Sequence, residues 1–347
     1  MSVKTDLKSL NRAALEAFAK GNGLPAYRVG QLIHWIYERN AGTIEEITEF
    51  SKKLRQELAA KAFISRLELK TALFSEDGTR KFLFGLSDGN AIESVLIPDG
   101  KRLTLCISSQ AGCRMGCGFC LTGKIGFKRD LLPHEIVDQF LQTRNAVYGN
   151  LPETITNIVF MGMGEPLDNL DNVAEAIKRI TAFARFSKRR ITVSTSGMAP
   201  GIQEFAAKAP GVKLAVSINA ATDSVRSSIM PINRKYPLQK LIAALRDFPL
   251  APRDRITIEY VLLKRVNDAQ ADAKALAGLL RGIPCKINLI PYNGPENCEN
   301  GRAFNMPDEN TTMAFQDVLV RAGYTAIVRK SKGKDILAAC GQLAGKG

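Results

Sequence analysis

Hydrophobic positions change their period twice along the chain. Over residues 4 to about 60 they recur at helical spacing. In PAYRVGQLIHWIYERN, Val29, Leu32, Ile33 and Ile36 share one face, and SKKLRQELAAKAF continues in the same style. The period then shortens. Residues 66–102 carry short β-type runs separated by Asp-Gly pairs at 77–78, 88–89 and 99–100, the pattern of antiparallel hairpins. From about residue 103 six apolar runs follow: LTLCIS, NIVFMGMG, RITVSTSG, KLAVSINA, ITIEYVLL and KINLIPYN. Helix-length segments separate them. In PHEIVDQFLQTRNAVY, for example, Ile136, Val137, Phe140 and Leu141 form one apolar face and Pro133 suits the first turn. Six β–α alternations imply a parallel sheet with right-handed crossovers, and ligands then gather at the carboxyl ends of the strands. A last strand-like run, TAIVRK, precedes an isolated Cys340. The expected fold class is α/β: a partial (βα)6 barrel over residues 103–347, with a small N-terminal helical domain at 1–65 and a β-hairpin extension or linker at 66–102.

Composition sharpens this picture in two respects. The 347 residues are 45% hydrophobic, ample for a large core plus an appendage. Basic residues outnumber acidic ones, 48 to 34, for a formal charge of +14. That excess favours a polyanion over a merely basic surface, because each Lys or Arg that meets a phosphate releases condensed counterions. The amino end lacks the apolar core of a secretion signal, and no window reaches the roughly 18 apolar residues of a membrane span. A cytoplasmic location is therefore expected. Thiols stay reduced there, so clustered cysteines point to metal or catalysis rather than to bridges. The chain holds 7 cysteines, an odd number that simple pairing cannot use up.

Four of them fall in CISSQAGCRMGCGFC, residues 106–120. Cys113, Cys117 and Cys120 form C-x3-C-x2-C directly after the first strand of the alternating region. Three thiolates on one short loop can hold three irons of a cubane cluster and leave the fourth open, whereas an electron-transfer site closes its cluster with four cysteines. Gly112, Gly116 and Gly118 let the loop wrap closely around an inorganic core. A structural zinc would want four ligands at paired spacing. His134 or Cys106 could complete such a tetrahedron, although His34 and His134, the only histidines, are not arranged as in a zinc finger.

C-x3-C-x2-C resembles the signature of the radical S-adenosylmethionine (radical SAM) enzymes. The resemblance implies a [4Fe-4S] cluster whose open iron takes the methionine amino and carboxylate groups of SAM, which reduction then cleaves to a 5′-deoxyadenosyl radical. GMGEP, residues 162–166, resembles the segment with which these enzymes bind the methionine amino group, here through Gly164 and Glu165. CISSQAGC, GFCLTGKIGFKR, SKRRITVSTSG and RKSKGKDILAACGQL narrow the resemblance to the RlmN/Cfr family of RNA methyltransferases, from about residue 8 to the carboxyl end. The fold class is then a partial radical-SAM barrel, with the N-terminal segment as an accessory RNA-binding domain.

The family's chemistry explains two further thiols. An amidine carbon such as adenine C2 is electrophilic and cannot attack a sulfonium directly, whereas a thiolate can. Gly333 and Lys334 suggest that Cys340 lies on a mobile basic loop; by resemblance, it takes a methyl group from one SAM. A second SAM yields the radical that activates this methyl for addition to the ring. Cys106 then attacks Cys340 sulfur, leaving a transient disulfide for an external reductant. The resemblance assigns Glu93, in AIESVLIPD, as acceptor of the ring proton. For SAM it implies Gly164, Glu165, Ser194, Ser217, Ile218, Asn219 and Asn293. Ser217-Ile218-Asn219 departs from the Ser-Leu-His of many relatives. Cys285 and Cys298 match no role.

The implied substrates are an adenine of 23S rRNA and an anticodon-loop adenine of tRNA, splayed from the stack to reach the site. Basic runs at 50–53, 124–129, 185–190 and 329–334 fit an RNA partner. An electron donor such as flavodoxin or ferredoxin is implied, no membrane is involved, and a monomer is expected. Two other readings stand beside C2 methylation: the Cfr-type reaction at C8, and a zinc-stabilised RNA-binding module with no enzymatic role.

Overall fold

The structure is a computed structural model that describes residues 4–148, 154–294 and 304–345. The amino-terminal segment runs β1 (Thr5–Asp6), α1 (Arg12–Gly21), α2 (Tyr27–Ile33), α3 (Lys52–Lys61) and β2 (Ala62–Phe63). Capping follows the local sequence: Asn11 accepts from Ala14 N ahead of α1 and Ser51 from Leu54 N ahead of α3. The segment is not purely helical, because β1 and β2 pair in parallel and sew its two ends together.

Four antiparallel strands follow: β3 (Glu68–Phe74), β4 (Arg80–Gly85), β5 (Ala91–Asp99) and β6 (Arg102–Cys106). Their turns fall at the three Asp-Gly pairs. A short hairpin, β7 (Gln110–Gly112) with β8 (Phe127–Asp130), brackets the cysteine loop and α4 (Leu121–Ile125). The alternating region then gives α5 (Pro133–Tyr148), β9 (Asn157–Phe160), α6 (Leu170–Ala182), β10 (Ile191–Thr195), α7 (Ala199–Lys208) and β11 (Lys213–Ser217). It continues as α8 (Asp223–Ile229), α9 (Leu238–Arg246), β12 (Ile256–Leu262), α10 (Gln270–Leu279), β13 (Cys285–Pro291), α11 (Glu309–Arg321) and β14 (Thr325–Val328).

All six expected barrel strands are present. They pair in parallel in the order β6-β9-β10-β11-β12-β13, and β14 adds to the far edge. The hairpins at the other edge are no separate linker. β5 pairs with β6, so a single ten-stranded sheet runs from β14 to β3. β6 thereby joins the two regimes, antiparallel to β5 on one side and parallel to β9 on the other.

One hydrophobic core extends from Leu7 and Leu15 through the barrel to Leu343. The amino-terminal segment docks on α5 and α6 through Tyr37 against Phe183 and through a buried ion pair, Lys8 Nζ to Asp138 Oδ1 at 2.7 Å. Asp138 Oδ2 also accepts from Leu67 N at 2.6 Å. One carboxylate therefore holds both ends of the amino-terminal segment. Removing one partner of a buried pair leaves the other charged and unsolvated, typically about 3–5 kcal/mol. Asp138→Ala should accordingly lower the melting temperature and loosen residues 4–66 first; hydrogen exchange resolved along the chain would register the order of opening.

Candidate active site

The carboxyl ends of the parallel strands surround an open cavity with about 1020 Å³ of empty space. The cysteine loop forms one wall. Gly112, at φ +75°, lets that loop close, since a Cβ there would fall 1.8 Å from Gly126 O. Cys113 N donates to Gly126 O, Gly118 N to Ile229 O, and Cys120 N to Cys117 O. The loop is thus tied to β8, to α8 and to itself. Cys113, Cys117 and Cys120 all line the cavity.

Burial raises the thiols of Cys113 and Cys117. Cys113 is pushed up to about 12, with the charge of Glu165 and the thiol of Cys120 adding to the effect. Cys117 is also pushed well up, by burial and then by Cys120 and Cys113. Three crowded, desolvated sulfurs ionise readily only around a cationic centre. Among the described residues no three His, Cys, Asp or Glu side chains converge on a single ion. A cubane does not require such convergence, because each thiolate meets its own iron. The donor set fits an iron–sulfur cluster.

The opposite wall comes from strand ends. Gly164, Glu165, Ser194, Ser217, Asn219 and Asn293 all line the cavity, as the sequence implies. Their side chains differ in what they have left to offer. Glu165 Oε2 accepts from Ser196 N at 2.6 Å and Oε1 from Leu167 N at 3.1 Å, so the carboxylate ties two strand-end loops while facing the cavity. Burial raises its pKa against these hydrogen bonds. Gly164 permits a close crossing, since a Cβ there would lie 2.6 Å from Gln110 Cβ. Asn219 sits at φ +57°, and its amide is already used: Oδ1 accepts from Val261 N and Nδ2 donates to Met230 Sδ. Asn tolerates this left-handed backbone better than most residues. Ile218 does not line the cavity. It is fully buried in the core, and its carbonyl accepts from Arg226 Nε at 2.9 Å.

Arg226 organises that wall. Fully buried, it donates to Ile218 O, Ser196 O, Ser217 O and Asn233 Oδ1. Burial lowers its pKa to about 10, which still leaves it a cation. The sequence reading missed Arg226. It also missed Glu259, a buried carboxylate on β12 that lines the cavity and accepts from Asn288 Nδ2 at 2.9 Å. A lone acid within the apolar run ITIEYVLL was the available signal.

Cys340 arrives from the carboxyl end and lines the same cavity. It is solvent-exposed. Burial pushes its thiol up to about 11, and the charge of Glu259 adds to this. Its turn is clamped on several sides. Leu121 N donates to Gly341 O at 2.7 Å, Thr122 Oγ1 to Leu343 O at 2.7 Å, and Ala344 N to Glu93 Oε2 at 3.0 Å. Gln342 Nε2 also donates to Asn293 O. Cys106, at the end of β6, lies outside the cavity lining and is almost fully buried. Burial raises its thiol, and Cys340 is the next cause, which places the two sulfurs within electrostatic reach. Glu93, in β5, lies beneath the turn rather than in the cavity wall.

The loop before Cys340 is not the free basic segment that Gly333 and Lys334 suggested. Gly333 N donates to Asp77 Oδ2 at 3.0 Å, and Asp335 accepts from Ser75 Oγ at 2.6 Å. The β3–β4 turn thus latches it. Within the basic run at 124–129, Arg129 is committed to Glu135 and Asp88 rather than free for a phosphate. Cys285 is buried at the start of β13 and gains no role. Cys298 lies outside the described residues.

A parallel barrel with a three-cysteine loop and a strand-end cavity defines a radical SAM enzyme, and the Radical SAM superfamily model matches residues 107–276. The model of the ribosomal RNA large subunit methyltransferase N-terminal domain matches residues 5–64. Over its whole length the chain is similar to curated proteins named Dual-specificity RNA methyltransferase RlmN. That of Pelobacter propionicus is 51% identical, covering 100% of this chain and 97% of the relative. That of Geotalea uraniireducens is 48% identical, covering 99% and 97%. A solved radical SAM methyltransferase from Sphaerobacter thermophilus superposes with a TM-score of 0.92 at 40% identity, covering 99% of this chain and 100% of that one. The chain belongs to the RlmN family.

The latch makes a prediction of its own. Burial works against the Asp77 carboxylate, but hydrogen bonds from Thr79 and Gly333 outweigh it and lower its pKa to about 2. A depressed carboxyl stabilises above its unfolded value and loses that contribution as pH falls through the folded one. The latch should therefore hold at every pH above about 4 and open only towards pH 2. Asp77→Asn should weaken it at neutral pH, speeding amide exchange at Gly333 by about 5- to 30-fold, the loss of a charge-assisted hydrogen bond worth roughly 1–2 kcal/mol.

Proposed function

We propose that this chain methylates C2 of an adenine in 23S rRNA, and of an anticodon-loop adenine in tRNA, by way of a methyl group first held on Cys340. The observation that carries this reading is the placement of Cys340. An accessible thiol on a clamped turn shares one cavity with Cys113, Cys117 and Cys120 and with the strand ends. Neither a zinc-stabilised binding module nor an enzyme that transfers methyl groups directly has a use for that fourth sulfur. The full-length relatives carry the RlmN name, which favours C2 over the Cfr-type reaction at C8.

In this reading Cys113, Cys117 and Cys120 hold a [4Fe-4S] cluster, and Gly164, Glu165, Ser194, Ser217, Asn219 and Asn293 hold SAM, while Ile218, outside the cavity with both backbone groups bonded, only shapes the wall behind them. Bound there, the cluster and two molecules of SAM per turnover supply a methyl cation, an electron and a hydrogen-atom acceptor. The chain's own residues do the rest. Cys340 displaces the methyl group from the sulfonium and presents it to the ring. Glu93 accepts the ring proton; its Oε1 is buried and free of any hydrogen bond, which leaves a lone pair available. Cys106 then attacks Cys340 sulfur; the S–C bond breaks with its electron pair on the one-carbon unit, which takes up a proton to become the methyl group, and a disulfide is left for an external reductant. Residues 1–65 contact RNA, 66–102 carry Glu93, and 103–347 hold the cofactors. An electron donor of the flavodoxin or ferredoxin kind, a monomeric state and a cytoplasmic location fit this reading. Among the described residues no helix is long and apolar enough to cross a membrane.

Two experiments test it. Cys117→Ala should cut iron from the ~4 per chain of a cubane to below ~1 and bleach absorbance near ~400 nm; full iron retention would remove this residue from the ligand set. Cys106→Ala should trap RNA on the enzyme through Cys340 as a slow-migrating band in denaturing gels. Recovery of free enzyme alone under turnover conditions would overturn the resolving role.

A further inference from the structure

A buried cation lies under the C-terminal turn, outside the cavity. Lys81 in β4 is 7% exposed and Glu93 in β5 is 1% exposed. The register pairs Lys81 with Val95 and Leu83 with Glu93, so the two charged residues are diagonal neighbours on one face of the ladder. The ammonium stands 3.3 Å from Glu93 Oε1 and donates to Leu337 O at 3.4 Å. Glu93 Oε2 meanwhile accepts from Ala344 N at 3.0 Å. The pair therefore grips the chain on both sides of Cys340.

Lysine is almost never buried without a partner. An apolar residue at 81 would satisfy the core better, so its charge calls for a reason. Glu93 Oε1 accepts no hydrogen bond in spite of the 3.3 Å approach. The ammonium thus supports negative charge on this oxygen without occupying its lone pair. That arrangement suits a base better than a structural salt bridge, in which donors would point along the lone pairs.

We propose that Lys81 is the positioning residue that holds the Glu93 carboxylate against the Cys340 turn, so that proton acceptor and one-carbon carrier meet the target ring together. This rests on the reading of Glu93 as proton acceptor. The step it serves is a proton transfer. The C–H bond at the substituted ring carbon breaks, its electron pair stays with the ring, and the proton passes to Glu93, which becomes neutral while Lys81 keeps its charge. Lys81 touches neither RNA nor cofactor; it acts through Glu93 and Leu337.

The test uses reconstituted holoenzyme and protein-free 23S rRNA. It compares the unaltered protein with Lys81→Met, Lys81→Arg and Glu93→Gln. Three quantities are read: methylation of Cys340 by peptide mass spectrometry, covalent RNA–protein adduct on denaturing gels, and released methyladenosine. Lys81→Met should keep Cys340 methylation, raise the adduct about tenfold and lower product release about tenfold, as for loss of an interaction needed in one step only. Lys81→Arg, which restores a cation, should recover most of the release. Glu93→Gln should accumulate adduct as Lys81→Met does. Normal release by Lys81→Met, or equal impairment in Lys81→Arg, overturns the positioning role. Normal release by Glu93→Gln instead overturns the proton-acceptor reading, whatever Lys81 does. Should Lys81→Met fail to fold, Lys81→Gln, an uncharged donor of similar length, is judged by the same outcomes.

Discussion

The hydrogen bond from Leu121 N to Gly341 O is the constraint on which the site depends. It joins the residue after the last loop cysteine to the residue after Cys340. Two segments more than two hundred residues apart in the chain thereby become one wall. Thr122 to Leu343 and Ala344 to Glu93 repeat the join on either side. Without these bonds the carboxyl end would be a basic tail, free to sample the large volume available to a short chain at its own entropic cost. With them, Cys340 has a fixed address beside the cysteine loop. The chemistry needs that address, since a reacting group misplaced by about 1 Å can cost on the order of a hundredfold in rate.

The far wall is held by a different device. Three strand-end carbonyls and the side-chain oxygen of Asn233 converge on Arg226, and a Cβ at Gly197 would come within 2.8 Å of its Nη2. A buried guanidinium with five donors can satisfy several carbonyls that the end of a parallel sheet leaves unpaired. Its charge is the cost of that rigidity, and its position near Cys117 sets a positive group behind crowded thiols. The site thus stands between two scaffolds, one of backbone hydrogen bonds to a tail and one of a single cation to strand ends.

The barrel was legible because it repeats. Each apolar run from LTLCIS to KINLIPYN is a strand, and the Asp-Gly turns fall where the hairpins turn. The cysteine loop and GMGEP announce themselves by spacing. What the sequence hides is tertiary. The β7–β8 clip is too short for a periodic signal, and its logic lies in Gly112 lying against Gly126 O. Asp77 and Asp335 read as ordinary turn and tail residues; only the fold brings them to the segment before Cys340. Lys81 and Glu259 each alternate with apolar neighbours on their strands and so read as outward-facing charges; only the fold buries them. Asn219 marks the opposite error: a side chain expected at the ligand is consumed by Val261 N and Met230 Sδ.

Accessibility separates the two working thiols. Cys340 opens into the cavity, whereas Cys106 is almost entirely enclosed, and burial raises both. A thiol held protonated is a poor nucleophile and resists adventitious oxidation. In the proposed function the group that Cys340 must attack is itself a cation. A sulfonium in the cavity offsets the desolvation that keeps the proton on, because opposite charge within a few ångströms favours the ionised form. In the proposed function the sulfonium that Cys340 attacks thus also favours its ionised form. Cys106, deeper still, has no such cation beside it. In the proposed function it reacts last, and its enclosure behind the cavity lining agrees with that order.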